Sequence, residues 1–482
     1  MKTLERKEEE TKAPKAMSDA GRPRGGRAPG PSDWSMLRNI SRFRKAPLDT
    51  ITGTWQTYGD IYSVRMGPLT FTMVHRPEYI QHVLQTNAAN YVKSPFYDNL
   101  KLLLGNGLVT SEGDFWRRQR RLSQPAFKRS RTAGFLGLFH EQAMVTRERW
   151  HALARAGEAV DVCEDMMDLT LRIVGHALFS TDLSSQANSL GEPTKIALRE
   201  ITNRQVALFR PPLSWPTRRN RRLRGAIESI NAVVGEIIRE RRALIETAGG
   251  MPGAMASGKV PHDLLSLLLA ARDEETNEQM TDRQVRDEVM TFLMAGHETT
   301  SNALTWTFYL LARHPEIAAK AREECRGLSG DVPEADEIMG LEYTRMVLEE
   351  SMRIFPPVWG MDRQALDEDE IGGYRVPKKG IVGMTQWVMH RHPDYWDNPL
   401  EFRPERFSPE NSAGRPRFAY FPFGGGQRQC IGMDFAMMEA LAILAVLLRD
   451  FHAELVSEER PFAEALVTLR PRDGLMMRPR VV

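Results

Sequence analysis

The chain has 482 residues and a formal net charge of +2, from 65 Lys and Arg against 63 Asp and Glu. Apolar residues make up 41%, with 36 Gly and 29 Pro, which excludes a disordered chain, a collagen-like chain and a disulfide scaffold and leaves material for a large core. The near-neutral charge gives no support for nucleic-acid binding as the main activity. Three cysteines, Cys163, Cys325 and Cys430, are an odd and sparse set that argues for a reducing compartment. No stretch approaches the ~20 apolar residues that span a bilayer. The longest apolar run, 440–448, predicts a buried core helix, and the N-terminus carries no signal-peptide core. The expectation is a soluble, cytoplasmic protein.

Residues 1–32 hold only Met1, Leu4 and Met17 as large apolar side chains, so they are expected to form a disordered basic, Pro/Gly-rich tail. Residues 33–482 show steady composition, no dividing linker and no repeat, and read as a single large domain. Ile61–Met66 and Leu69–Val74, split by Gly67-Pro68, predict a hairpin. Segments 365–371 and 374–377 around Gly372-Gly373 predict a second. Segments 467–469 and 475–477 around Asp473-Gly474 predict a third. Nearly everything else has helical periodicity, so the fold class is mainly α with small peripheral β-sheets.

Thr281 followed by Gln284 predicts a capping-box helix start, and Pro315 a stop. The pattern runs unbroken over 282–314, roughly 50 Å at ~1.5 Å per residue. Its middle reads Ala295-Gly296-His297-Glu298-Thr299-Thr300-Ser301-Asn302. A glycine and a polar cluster inside an apolar helix oppose helix propensity. They mark either a tolerated polar face or a functional site.

The sharpest signal is Phe423-Gly424-Gly425-Gly426-Gln427-Arg428-Gln429-Cys430-Ile431-Gly432. Three glycines let the backbone turn and present N–H groups to one point. Cys430 is then expected to open an apolar helix to about residue 448. A helix N-terminus and the nearby Arg428 lower a thiol pKa. A lone thiolate is a poor structural zinc site but suits an axial ligand to haem iron. Cys163 and Cys325 lie in ordinary helical contexts and read as inert.

This pattern, from Phe423 to Gly432, resembles the haem-binding loop of the cytochrome P-450 family, the haem-thiolate monooxygenases. Four further marks of that family follow its order. Ala295, Gly296, Glu298, Thr299 and Thr300 resemble its oxygen-activating helix. Glu350 and Arg353, before Pro356-Pro357, resemble its Glu-x-x-Arg pair. Pro404, Glu405, Arg406 and Phe407 match its Pro-Glu-Arg-Phe element, and Trp116 with Arg120 the helix beneath the haem.

The resemblance implies haem b with Cys430 as the metal ligand and Phe423, Arg428, Trp116, Arg120, Arg363 and Gly432 as cofactor-binding residues. It assigns Thr299, Glu298 and Gly296 to oxygen activation: Gly296 thins the helix wall, Thr299 positions a proton-delivering water, and Glu298 links it to solvent. Glu350, Arg353 and Arg406 are implied as a structural ion network. His297 reads as a helix-packing residue, because the family leaves that position open. By family topology residues 95–109 cover the distal side. Met294, Ala295, Val358, Trp359 and Val467 are further lining candidates.

The implied reaction inserts one atom of O2 into an apolar small molecule of fatty-acid, terpenoid, steroid or polyketide type. Electrons are expected from separate partners, a ferredoxin and an NAD(P)H-dependent reductase, docking near Arg117, Arg118 and Arg121. A peroxide-using member or a non-catalytic haem sensor are the alternatives. The retained Glu298 and Thr299 speak against the first, and the polar break in the long helix against the second. The basic segment 211–224 around Trp215 is expected to be solvated, with membrane-surface contact as its alternative.

Overall fold

The computed structural model describes residues 25–32, 41–66, 69–180, 187–205, 211–256, 258, 260–261, 263–330 and 333–482. The chain folds into two compact units interleaved in sequence. One comprises Met1–Ser94, Arg353–Phe402 and Pro409–Cys430; the other comprises Pro95–Met352, Arg403–Ser408 and Ile431–Val482.

The first unit is built on a five-stranded sheet. Ile61–Met66 and Leu69–Val74 pair antiparallel in the expected register, Ile61 opposite Val74. The sheet continues through Ile381–Met384, parallel to Leu69–Val74, then antiparallel Met361–Ala365 and Tyr91–Val92. Thr72 and Val74, one position apart in the side-chain alternation, are the buried face of their strand. The second expected hairpin is present but shorter, Asp369–Ile371 against Tyr374–Val376. Its turn uses Gly372 and Gly373, both at positive φ (57° and 79°), the geometry of a tight two-residue hairpin. Residues 361–365 belong instead to the larger sheet.

Residues 25–32 fell within the expected tail, yet the chain here is pinned along this unit. Gly25 N–H donates to Gly373 O, Arg375 N–H to Gly26 O and Ser63 N–H to Pro29 O. Ala28 is buried, and a Cβ on Gly30 would meet Ser63 O at 1.9 Å. Composition misses this anchoring because it is carried by backbone groups. Residues 1–24 lie outside the described residues.

The second unit is a helical body. The long helix runs Asp282–Arg313, with the capping box of Thr281 and Gln284 formed and His314 as C-cap. Pro315 opens the next helix, Pro315–Arg326. Val162–Phe179 packs along the long helix, and Thr170 Oγ1 donates to His297 O at 2.9 Å. Helix Met433–Asp450 is apolar and buried over most of its length.

The third expected hairpin does not form. Leu469–Pro471 pairs with Ala463–Ala465, and Met476–Val481 pairs with Phe451–Leu455 and Val160–Asp161. Asp473-Gly474 is a real turn, but Asp161 holds it: Leu475 N–H donates to Asp161 Oδ1 at 2.8 Å. A Cβ on Gly474 would meet Asp161 Oδ2 at 2.0 Å. The turn therefore delivers the last strand to a different partner.

Glu350 and Arg406 form a buried ion pair in the second unit, 0% and 2% exposed at 3.3 Å. Glu350 Oε1 also accepts Arg403 N–H at 3.0 Å. In the first unit Arg353 donates to the carbonyls of His390, Pro399 and Glu401 and stacks over Trp396. All three residues thus do architectural work. Truncating either member of the pair leaves the other charged and buried. Arg406→Leu or Glu350→Leu should lower stability by about 3–5 kcal/mol, and the double variant by less than their sum. Denaturant unfolding of the haem-loaded protein measures this.

Candidate active site

The cysteine loop belongs to the first unit. Gly424 N–H donates to Phe421 O, Gln429 N–H to Gly426 O, and Cys430 N–H to Phe423 O at 3.0 Å. His390 Nε2 accepts Phe421 N–H at 3.0 Å and fixes the entry to the loop. Gly424 and Gly426 lie at positive φ, 69° and 66°. A Cβ on Gly425 would sit 2.3 Å from the Phe418 ring, and one on Gly426 1.9 Å from Leu84 O. The glycines are therefore required by close approach as well as by conformation.

Cys430 is exposed at the end of this loop. It does not itself open the following helix: Gly432 is the N-cap and the helix is Met433–Asp450. Gly432 sits at φ −93°, and a Cβ there would make only ordinary contact with the Phe127 ring at 3.8 Å, so the local backbone does not by itself require a glycine. The other two cysteines differ in kind. Cys325 is buried and its thiol is pushed up to about 11 by desolvation, so it stays protonated. Cys163 lies in the first turn of its helix, its N–H donated to Asp161 Oδ1.

Arg428 is half-buried within the loop. Arg363 is buried on the strand Met361–Ala365 and donates to Asp362 O at 2.7 Å, beside an Asp362 carboxyl that burial raises above its usual value. Trp359 packs against Ile51, Trp55, Tyr62 and Val388, and so serves a local core; Val358 is half-buried.

The helix centre belongs to the second unit. Flanking residues 289–294 and 300–311 are buried, whereas Ala295 is exposed and Gly296 and Thr299 are half-buried. One face of the helix is thus accessible at its midpoint. Thr299 Oγ1 donates to Ala295 O at 2.6 Å. Gly296 has a packing reason: a Cβ there would meet Val174 Cγ2 of Val162–Phe179 at 3.0 Å. Its missing side chain is directed at the neighbouring helix, not simply at an oxygen-binding face. His297 is buried, with Nδ1 3.2 Å from Leu293 O, the packing role expected of it.

Glu298 is 4% exposed and so does not face solvent. Desolvation raises its carboxyl, and the Thr468 hydroxyl and the charge of Arg470 offset this in part. Asn302 Nδ2 also donates to Thr468 Oγ1, at 3.2 Å. Thr468 and Arg470 come from the 463–471 ribbon that covers the acid. The sequence reading did not find them, although Val467 beside them was a lining candidate. A second acid is also missed. Glu439, on Met433–Asp450, is fully buried and raised well above the usual carboxylate range, with Thr300 the group that lowers it.

Met294, Leu104 and Leu108 belong to the large apolar core of the second unit, and the half-buried Val109 and Val467 pack at its edge. Trp116 is buried and Arg120 half-buried on Gly113–Ser123. On that helix Arg117 is exposed, Arg118 pairs with Glu278 at 3.1 Å, and Arg121 with Asp273 and Glu275 at 3.0 and 2.8 Å. The basic face is thus partly neutralised by the 273–278 turn. Trp215 is 51% exposed just before Thr217 caps Arg218–Thr247. Among the described residues no helix is long and apolar enough to cross a membrane.

The donor set suits a haem. Within the first unit it offers one exposed sulfur on a loop closed against its own backbone, together with the cations of Arg428 and Arg363. The cytochrome P-450 family model matches residues 28–477. Cyclooctatin synthase of Streptomyces melanosporofaciens is 34% identical over 88% of this chain and 86% of its own. Pentalenene oxygenase of Streptomyces avermitilis is 31% identical over 90% and 92%. Protein LUTEIN DEFICIENT 5 of Arabidopsis thaliana is 32% identical over 87% and 72%. The chain belongs to the cytochrome P-450 family, the haem-thiolate monooxygenases, with Cys430 as the axial thiolate.

Proposed function

We propose that this monooxygenase oxidises an apolar, terpenoid-type small molecule, with electrons supplied by a separate ferredoxin and its NAD(P)H-dependent reductase. The observation that carries the substrate class is the exposed helix midpoint at Ala295, flanked by the buried Met294 and by the apolar core to which Leu104, Leu108, Val109 and Val467 also belong. Relatives named for pentalenene and for cyclooctat-9-en-7-ol support the terpenoid choice. On the electron-donor side, Arg117 is exposed but paired with Asp114, and Arg118 and Arg121 are held by Glu278, Asp273 and Glu275, so an acidic partner docking there would exchange those pairs.

Bound haem supplies the iron at which O2 is activated, one oxygen atom going to the substrate and the other to water. Cys430 would hold that iron through its sulfur, and as a thiolate it would supply electron density to the metal. Phe423 and Gly432 bracket the loop that holds it. Arg428 and Arg363, and from the other unit Trp116 and Arg120, are the residues that would balance the propionates, because buried carboxylates need cations and N–H donors. Thr299 offers its hydroxyl at the accessible face, parked on Ala295 O, and can turn to hold a water. Glu298 keeps a proton to higher pH than a surface glutamate would, and Thr468 holds its carboxyl in place. The pair therefore stores a proton and an acceptor for it inside a dry wall, with the proton passing from the acid to the water on Thr299.

Three measurements test this. After reduction and carbon monoxide, haem-loaded protein should show a strongly red-displaced Soret band, lost in Cys430→His; a wild-type protein without that band overturns the reading. In Thr299→Ala, product formation should fall by roughly 100-fold or more while electron-donor consumption continues; unchanged coupling removes Thr299 from proton delivery. Because the raised Glu298 carboxyl must be protonated to donate, turnover should decline as pH rises through its folded-state pKa, above the usual carboxylate range. Glu298→Gln should abolish that limb.

A further inference from the structure

Three consecutive residues near the start of the long helix each hold a different backbone group of one short segment. Arg286 Nη2 donates to Leu103 O at 3.0 Å. Asp287 Oδ2 accepts Asn106 N–H at 2.8 Å, and Glu288 Oε2 accepts Leu108 N–H at 3.0 Å. Successive helix residues point about 100° apart, so a segment gripped by three in a row must run around the helix rather than along it. Both carboxylates are buried, Asp287 at 5% and Glu288 at 0% exposure. Arg286 also bonds Asp287 Oδ1 at 2.8 Å and Asn231 Oδ1 of Arg218–Thr247 at 3.2 Å.

The segment is shaped to be held this closely. Gly105 lies at φ 61°, and a Cβ there would meet the Asp287 carboxylate at 2.1 Å. A Cβ on Gly107 would meet Thr291 Oγ1 at 2.2 Å and Asp287 O at 2.5 Å. Thr110 Oγ1 donates to Gly105 O at 2.7 Å, and Ser111 N–H to Gly107 O at 2.8 Å, so the turn is also closed on itself. Leu108 and Val109 leave this turn for the cluster with Met290, Leu293 and Met294.

We propose that Arg286, Asp287 and Glu288 form a clasp that fixes the Leu104-to-Val109 wall and thereby sets which bulk of substrate the enzyme accepts. They are positioning residues for the reaction. The inference rests on the reading that this wall borders the substrate. A carboxylate accepting a buried N–H is a strong, charge-assisted bond, and its loss strands an amide away from water. The wall therefore stays closed at equilibrium, and its rigidity becomes size selectivity.

The test uses the haem-loaded full chain and a series of alkyl- and aryl-imidazoles of graded bulk, whose binding is read from the haem spectrum whatever the natural substrate is. Wild-type enzyme should discriminate strongly between narrow and wide members. Glu288→Ala should compress that discrimination by about 10-fold or more, with Glu288→Gln and Asp287→Asn intermediate because each keeps an acceptor. Unsubstituted imidazole should bind all of them equally, which a general loss of structure would not allow. Hydrogen exchange at the Asn106 and Leu108 amides should quicken in parallel. Unchanged discrimination overturns the clasp, whether or not exchange quickens, and should Glu288→Ala fail to fold, the two conservative variants decide the question. Terpenoids are assayed separately for a spin-state change in the wild type. A silent panel there overturns the substrate reading, and the imidazole series still judges the clasp.

Discussion

Cys430 is presented by a loop that closes only where two successive residues carry no Cβ. Gly425 lies against the Phe418 ring and Gly426 against Leu84 O, and any side chain at either would push the loop away from its own unit. The loop can then spend its N–H groups on its own carbonyls, Cys430 N–H on Phe423 O among them, and leave the sulfur outside. Cys325 shows what the same side chain becomes without such a loop: buried beside Thr344, it is a protonated, inert thiol. Environment, not residue type, separates a metal ligand from a core residue. The axial bond, and with it the chemistry of the family, depends on that steric closure.

The long helix meets the opposite difficulty. It must carry polar groups through a core where each one is costly unless satisfied. Most of its hydroxyls solve this locally: Thr291, Thr305 and Thr307 each donate to the carbonyl four residues back, as Thr299 does to Ala295 O. Thr299 differs in being only half-buried, so for it alone in this set the internal bond can be exchanged for another partner. The two acids are handled by burial. Glu298 and Glu439 are both raised by desolvation, which Thr468 and the charge of Arg470 offset in part at Glu298.

Much of this was legible from the residues. The Ile61–Met66 hairpin stood out because Gly67-Pro68 punctuates a clean alternation, and the long helix because Thr281 and Gln284 cap it reciprocally. The misreadings share one cause, a local signal completed by a distant partner. Asp473-Gly474 is a good turn whose strand is claimed by Asp161 and Phe451–Leu455, far away in sequence. Glu298 looked solvent-linked because nothing near it in sequence shows that Thr468 covers it. Nothing in the sequence singles out Arg286, Asp287 and Glu288, since only the fold brings Leu103, Asn106 and Leu108 to them.

The same helix holds a second wall as well. Asn302 Nδ2 donates to Thr468 Oγ1, and Trp306 Nε1 to Leu469 O at 3.0 Å, fixing the ribbon that carries Val467. Glu288 grips the first wall about two turns before Ala295, and Asn302 grips the second about two turns after it. The exposed midpoint therefore sits centrally between two points of attachment, each about 10 Å away along a single rigid element. Neither wall need be stiff in itself, because both take their position from the helix that bears Thr299 and Glu298. The apolar residues Leu108, Met294 and Val467 are thus registered against the acid and the hydroxyl by one continuous backbone. Anchoring the apolar walls to the helix that carries Thr299 and Glu298 limits how far their relative positions can drift.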